Sequence, residues 1–365
     1  MKSELSKKYN RIKLIVSITS LLVDLFFWLV VILSGFAGKI ADISYSQASN
    51  PLIQFLIFAA ILGGIYFLIN FPLSFYSGYI LEHRFSLSNQ TLAGWFREQM
   101  KAALVGLVLA GVMISIFYIL LWKYPDYWWF GLWLFILVFS ILLSRLAPVL
   151  LFPIFYKFTP LDDPDLRNRI KSFAEKYDLN ISGVYQFDLS KNTRKANAAF
   201  TGLGKSRRVI LGDTLLNHFN HDEIETIFAH EVGHYVKKHL VRGILVSSII
   251  SFIGLFLAFT IYESILGYLG YQPYNLEAIP YLALIFYFYS LISGPISNWV
   301  SRRFEYQADR FAVESSGQPG VYQNSLKKLA DLNLADESPH PVIEFLFYSH
   351  PSISHRIEKI SGEYA

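Results

Sequence analysis

The chain has 365 residues, of which 53% are hydrophobic, 17% aromatic and only 16% charged, whereas soluble proteins carry about 25% charged residues. The formal net charge of +4 is too small for a surface that binds nucleic acid. The absence of cysteine excludes disulfides, thiolate metal sites and a cysteine nucleophile. The composition therefore indicates a membrane protein in which any metal ion is bound by His, Asp or Glu.

Six apolar segments are each long enough to cross a bilayer, for which a helix needs about 20 residues. They comprise residues 14–38, 51–81, 102–122, 127–156, 243–262 and 278–301. The first is too long for a cleavable signal peptide, so we expect it to stay in the mature chain. Basic residues precede it, so the positive-inside rule places the N-terminus in the cytoplasm. Six spans return the C-terminus to that side and leave only Lys39 and Lys123, of 32 Lys and Arg, on the other.

This topology divides the chain into a four-span membrane region (1–156), a soluble piece (157–240), a transmembrane hairpin (241–301) and a second soluble piece (302–365). Neither soluble piece is large enough to fold comfortably alone, so we expect the two to pack as one split domain. Strand-like stretches at 183–187, 197–201 and 208–211, with turn residues Gly202 and Gly204, predict a small antiparallel sheet. The expected fold class is a mainly α-helical polytopic membrane protein with a split cytoplasmic α+β domain.

A metal-binding pattern, His230-Glu231-Val232-Gly233-His234, lies near the end of the first soluble piece. Asn220 followed by Glu223 predicts a capping box that opens the helix carrying it. Residues four apart lie on one helix face, so both imidazoles can bind one ion while Glu231, about 100° away, is free to hold a water. This geometry is typical of metal-assisted hydrolysis. A continuous helix to the fifth span would place the metal about 13 Å from the start of that span.

A third ligand is expected on a separate helix, and Glu305 follows the sixth span just as the histidines precede the fifth. An antiparallel pair of spans would bring both sites to one membrane face. Asp309, one turn beyond Glu305, is placed to accept the second N–H of a liganding histidine. Two imidazoles and one carboxylate predict one Zn²⁺ per chain, with a fourth position open for water. His239 would face away from His230 and His234 on a continuous helix, so we expect it to have no metal role.

Together with further stretches, these residues resemble the type I CAAX prenyl endopeptidases, membrane zinc proteases related to the HtpX-type proteases. The further stretches are residues 85–91 (FSLSNQT), 158–161 (FTPL), 197–202 (NAAFTG) and 350–352 (HPS) with Arg356. The resemblance implies a gluzincin in which Glu231 is the general base, and in which His350 and Arg356 stabilise the oxyanion or anchor the substrate. It also implies a substrate-binding strand, which is formed by Asn197, Ala198, Ala199, Phe200 and Thr201.

The sequence thus predicts a zinc metalloendopeptidase of the CAAX prenyl protease type that hydrolyses peptide bonds near the cytoplasmic membrane face. Its expected partners are a peptide or protein substrate, prenylated substrates included, and the lipid bilayer, but no nucleic acid. A bacterial inner membrane is the favoured location, or the endoplasmic reticulum if the source is eukaryotic. Two alternatives stay open: an HtpX-like quality-control protease of misfolded membrane proteins, and a six-span transporter or channel in which the histidines sense metal.

Overall fold

The computed structural model describes residues 2–201 and 208–364. The α-helices, in chain order, are α1 (Lys2–Leu33), α2 (Phe36–Gln47), α3 (Pro51–Phe75), α4 (Leu81–Arg84), α5 (Leu92–Lys123), α6 (Trp128–Leu146), α7 (Phe152–Phe155), α8 (Pro164–Glu175), α9 (Asp213–His218), α10 (His221–Val236), α11 (His239–Leu269), α12 (Ile279–Ser316), α13 (Pro319–Asn333), α14 (Pro341–Phe347) and α15 (Ile353–Tyr364). The strands are β1 (Phe158–Pro160), β2 (Gly183–Phe187), β3 (Ala198–Thr201) and β4 (Arg208–Gly212).

Within the described residues, six helical segments are long and apolar enough to cross a membrane, the number that the sequence predicts. They are Glu4–Leu33, Pro51–Arg84, Leu92–Lys123, Trp128–Phe155, His239–Leu269 and Leu276–Ser316. The first span ends earlier than expected, because Gly35 takes a left-handed conformation (φ 70°) and the short helix α2 follows. Asn50 and Thr91 cap the helices of the second and third spans by accepting hydrogen bonds from backbone N–H groups. The molecule is therefore mainly α-helical and polytopic.

The two soluble pieces share one hydrophobic core. Leu166, Leu211 and Phe228 from the first piece pack in the same buried cluster as Phe311 and Leu326 from the second. Burying apolar surface in one cluster gives two short pieces the core that neither could build separately. The shared core also holds α10 against α12, on which the predicted metal ligands lie.

The sheet is mixed, with the strand order β1-β2-β4-β3. β2 and β4 are parallel, whereas β1 with β2 and β3 with β4 are antiparallel. The prediction of an antiparallel sheet is therefore wrong for the central pair. β4 lies between β3 and β2 and runs antiparallel to β3 and parallel to β2. The predicted turn residues Gly202 and Gly204 lie outside the described residues.

The beginning of α1 packs on the end of the second span and on the soluble domain. Tyr9 is buried, its ring centroid lies 5.2 Å from that of Phe85, and its hydroxyl donates to Glu82 over 2.5 Å. The Asn10 side-chain amide donates to the backbone oxygen of Leu334 over 2.7 Å. The first transmembrane helix is thus attached to the C-terminal half of the soluble domain, a contact that the sequence did not predict.

Candidate metal centre

Two helices from distant parts of the chain carry the predicted metal ligands. α10 opens with the predicted capping box, in which the Asn220 side chain accepts from the Glu223 backbone and the Glu223 carboxylate accepts from the Asn220 backbone. α12 carries Glu305 beyond the sixth span. The two helices meet at Gly233, where a Cβ atom would lie 3.1 Å from the backbone of Ala308. The missing side chain therefore lets the histidine helix and the Glu305 helix approach closely.

Three potential ligand groups converge between these helices, on His230, His234 and Glu305. The two histidine Nε2 atoms lie 3.1 Å apart. Glu305 Oε2 lies 3.4 Å from Nε2 of His230, and its Oε1 lies 3.3 Å from Nε2 of His234. His230 and Glu305 are buried, and His234 is partly exposed. The structure thus brings together the three residues predicted from the sequence as ligands.

His230 contacts a buried charged network through its other ring nitrogen. Its Nδ1 atom lies 3.0 Å from Oδ1 of Asp309 and donates its hydrogen there. The Tyr322 hydroxyl donates to the same oxygen over 2.6 Å, and Arg356 donates to both Asp309 oxygens over 2.8 and 2.5 Å. When His230 is neutral, Asp309 therefore holds the imidazole in the tautomer whose Nε2 lone pair faces Glu305.

The buried charges also shift proton affinities in this network. Burial alone would lower the pKa of His230, but hydrogen bonds to Asp309 and Glu305, with their charges, raise it to about 9. A metal must displace this proton, so its affinity falls as the pH drops below that value. Burial raises the pKa of the Tyr322 phenol well above its ordinary value, so its hydroxyl remains a donor. Sequence reasoning missed Tyr322, since no spacing relates it to the histidines.

The His234 side of the site depends on a break between two helices. α10 ends at Val236, Lys238 takes a left-handed conformation (φ 56°), and α11 begins at His239. The predicted continuous helix is therefore wrong, and so is the expectation that His239 faces away from both histidines. Its Nδ1 atom lies 3.0 Å from Nδ1 of His234.

A neutral relay orients His234. His239 Nε2 lies 3.1 Å from the side-chain oxygen of Gln307, which also accepts a bond from Arg242 over 3.4 Å. An amide oxygen only accepts, so the hydrogen of His239 is on Nε2 and its Nδ1 accepts from His234. His234 then presents the lone pair of its Nε2 atom to the site. The Lys237-Lys238 pair gave no signal of the break, because neither residue favours positive φ as glycine or asparagine does.

The arrangement of lone pairs fits a metal ion. When both histidines are neutral and carry their hydrogens on Nδ1, the Nε2 lone pairs and the Glu305 carboxylate face one another with no hydrogen between them. These acceptors lie 3.1–3.4 Å apart and repel one another unless a proton or a metal ion lies among them. Two imidazoles and a carboxylate are a donor set that suits zinc and leaves positions open for water or substrate.

Glu231 and His350 lie beside the convergent ligands. Glu231 is partly exposed, and its carboxylate makes no hydrogen bond with the residues that the structure describes. Burial raises the pKa of Glu231, although the charges of His230 and His234 oppose the shift. His350 Nδ1 lies 3.0 Å from Glu305 Oε2, and 66% of its side chain is exposed. Both groups are thus placed where they could contact a substrate.

Arg356 lies deeper than the sequence suggested. It is 8% exposed, and its Nε and Nη2 atoms bind Asp309. Its Nη1 atom lies 3.9 Å from Glu305. This placement favours a role in holding Asp309 and the charge of Glu305 over direct contact with a substrate.

The predicted substrate strand lies at an edge of the sheet. β3 pairs with β4, and among residues 2–201 and 208–364 no other strand pairs with it. Phe200 packs on α10, with its ring centroid 5.4 Å from that of Tyr235 and 6.4 Å from that of Phe228. Asn197 is exposed, and Ala198 and Ala199 are partly exposed. The strand thus offers a free backbone edge next to the histidine helix.

Family comparisons divide the chain into two parts, one that begins with the soluble domain and one that covers the first four spans. Residues 160–364 match the model described as peptidase family M48. Residues 2–157 match a model described as the CAAX prenyl protease N-terminal region with five membrane helices. In this chain the same region contains four of the six candidate spans and the short helix α2.

Curated proteins and a solved structure resemble the chain over most of its length. An uncharacterized metalloprotease, YhfN, of Bacillus subtilis is 29% identical, over 98% of this chain and 85% of its own length. CAAX prenyl protease 1 of Saccharomyces cerevisiae is 30% identical, over 84% of this chain and 72% of its own. The crystal structure of S. mikatae Ste24p superposes with a TM-score of 0.88 at 28% identity, covering 98% of this chain and 89% of that one.

Proposed function

Because the chain belongs to peptidase family M48 and is a membrane-embedded metalloendopeptidase, we propose that it uses one zinc ion, held by His230, His234 and Glu305, to cleave peptides at the cytoplasmic membrane face. The observation that carries this proposal is the convergence of three lone-pair donors, each histidine being oriented by its own hydrogen-bond partner. Zinc bound there would polarise the scissile carbonyl and lower the pKa of a water molecule.

Glu231 acts as the general base in this proposal. Its raised pKa lets it take a proton from the attacking water and later return it to the leaving amine. His350 is exposed beside Glu305 and donates a hydrogen bond to the negative charge that develops on the carbonyl oxygen. Arg356 acts through Asp309, which keeps His230 in the ligating tautomer.

β3 positions the substrate. A peptide in extended conformation adds to the free edge of β3 through backbone hydrogen bonds. Because these bonds involve no side chains, peptides of many sequences can form them. This arrangement would place a substrate backbone alongside α10, to which Glu231 belongs. Asn197, Ala198, Ala199, Phe200 and Thr201 are the residues of this edge.

A prenylated peptide is the substrate class that we propose. The relatives carry the name CAAX prenyl protease, and the site lies where long apolar helices meet the soluble domain. A prenyl chain in contact with those helices or with lipid would gain about 0.8 kcal/mol per buried CH₂. Such binding acts on substrate and transition state alike, so prenylation should lower KM more than it changes kcat.

Cleavage of a peptide pair by the purified, zinc-loaded chain tests this function. We expect a farnesylated CAAX peptide to be cleaved at a lower KM than its unmodified counterpart. Glu231→Gln should keep zinc and lose about 10²–10⁴-fold in kcat, whereas Glu305→Ala should lose zinc. Glu225→Gln, on the same helix but bound to Arg169, is the control. Full activity of Glu231→Gln would refute the mechanism, and degradation of an unfolded protein with equal cleavage of both peptides would favour a quality-control protease.

The orientation in the membrane is part of the proposal. Both termini and the soluble domain lie in the cytoplasm, in a bacterial inner membrane or, for a eukaryotic source, the endoplasmic reticulum. Because the chain has no native cysteine, single cysteines at Ser46 and Asn275 should react with an impermeant thiol reagent outside intact cells. Cysteines at Ser190 and Ser338 should stay unlabelled, and their labelling from outside would invert the assignment.

A further inference from the structure

A cleft of about 400 Å³ lies between the first transmembrane helix and the segment that follows α14. Its walls include Asn10, Lys13 and Ser17 from α1, and Tyr348 and His350 from the facing segment. This volume is within the range of pockets that bind small ligands, about 300–1,000 Å³. The cleft can therefore hold a few residues of a peptide.

The cleft begins at the candidate metal centre. His350, one of its lining residues, lies 3.0 Å from Oε2 of Glu305. A peptide that is cleaved beside His350 would therefore have one of its two ends in this cleft.

The charge of the cleft comes from Lys13. Among the described residues, no carboxylate lies within 4 Å of its ammonium group, which lies 5.4 Å from the ring centroid of Tyr9. The negative charge of Glu82 attracts the Lys13 ammonium group, and the positive charge of Lys195 repels it. Glu82 already binds Lys195 over 2.9 Å and the Tyr9 hydroxyl over 2.5 Å. None of the residues that line the cleft is Asp or Glu, so Lys13 gives the cleft a positive charge.

Lys13 is also held in position by its own helix. Tyr9, one turn earlier, is buried against Phe85, and Asn10 donates to the backbone of Leu334. These contacts fix the start of α1, and with it the backbone of Lys13, between the end of the second span and the soluble domain before a ligand arrives. A cation on a fixed helix loses less freedom on binding an anion than one on a mobile segment does.

We infer that this cleft binds the short C-terminal end of the substrate and that Lys13 binds its terminal carboxylate. The inference rests on the proposed peptidase function and specifies which end of the peptide lies on the His350 side. A cleft of this size suits a chain end better than a folded body, and of the two chain ends only the carboxylate carries the charge that complements Lys13. The N-terminal part of the substrate then lies along β3.

Two farnesylated peptides test this inference. They differ only at the C-terminus, where one has a free carboxylate and the other a carboxamide. Their cleavage is measured with the full, zinc-loaded chain in detergent. For the unchanged chain we expect the amide to have a KM about tenfold higher, with a much smaller change in kcat, because a charge-assisted hydrogen bond is lost in ground state and transition state alike. Lys13→Met should raise the KM of the acid to that of the amide and leave the amide unaffected. Lys13→Arg should keep the preference for the acid.

Lys8→Met is the matched control, since Lys8 is an exposed cation of the same helix that does not line the cleft. It should keep the tenfold preference. Equal KM values for acid and amide in the unchanged chain would overturn the inference while leaving the peptidase function intact. A Lys13→Met variant that weakens both peptides equally would also overturn it. Cleavage of neither peptide by the zinc-loaded chain would instead reject the proposed function.

Discussion

The two histidines of the metal centre have the same spacing to Glu305 but different surroundings. His230 is buried and bound to Asp309, which Arg356 and Tyr322 also bind. His234 is more exposed and bound to the neutral pair His239 and Gln307. One side of the site is therefore stabilised by opposite buried charges and the other by neutral hydrogen bonds. Loss of a hydrogen-bonding partner should lower the free energy of unfolding much more on the His230 side than on the His234 side. A buried charge without a partner is far costlier than an unmade neutral hydrogen bond.

Asp309→Ala should have the largest effect. It leaves the Arg356 guanidinium buried without its partner, which should lower the free energy of unfolding by about 3–5 kcal/mol. Zinc affinity should also fall by about 10- to 100-fold, since His230 loses the acceptor that fixes its tautomer. Chemical unfolding and competition with a zinc chelator measure the two effects.

Asp309→Asn is the control for shape, because it keeps the volume and one acceptor oxygen while removing the charge. It should lose stability as well, but less than the alanine variant. If both variants bind zinc and unfold like the unchanged chain, the buried network does not support the site.

Gly233→Ala should affect both sides of the site together. The added methyl group would lie 3.1 Å from Ala308 Cα, Ala308 O and Phe311 Cβ, so α10 and α12 must separate by a few tenths of an ångström. Overpacking of this kind costs about 1–3 kcal/mol, and the shift would move Glu305 relative to both histidines. Thermal unfolding and zinc affinity should change together, whereas Gly243→Ala, where a Cβ meets nothing within 4 Å, should change neither.

His239→Ala should have a smaller effect than these variants, and it should change zinc affinity much more than stability. Zinc affinity should fall by about tenfold, since His234 loses its acceptor, and the free energy of unfolding should change by only about 1 kcal/mol. Gln307→Ala should show the same pattern more weakly. His218→Ala, which removes a bond to the backbone of Thr214, is the control. A loss of stability as large as that of Asp309→Ala would contradict the contrast between the two sides.

The sequence contained enough signal for His230, Glu305 and Asp309 and too little for His239. The spans follow from apolar length, and the helix that carries Glu231 follows from its capping box and apolar spacing. Asp309 was found because one helical turn from Glu305 is a fixed distance. His239 was missed because its position depends on a single left-handed residue, Lys238, whose conformation no local preference predicts.

Tertiary packing decides the other features that sequence reasoning missed. The parallel pairing of β2 and β4 depends on where β4 inserts, which residue alternation does not encode. Tyr322 reaches Asp309 from α13, which begins after a turn with positive φ at Gly317. Gly317 and Pro319 signal the end of α12 and the start of α13, but the angle between these two helices determines where the Tyr322 hydroxyl lies.

The 38-residue helix α12 has a mechanical consequence. It continues through Pro295 from the sixth span to Glu305 and Asp309, so Glu305 lies about 39 Å along the axis from the start of the helix. A tilt of about 3° around that start would displace the carboxylate sideways by about 2 Å, and transmembrane helices tilt in response to bilayer thickness. The position of Glu305 relative to the two histidines is thereby coupled to the thickness of the surrounding bilayer. A bilayer that is too thin or too thick should distort the metal site.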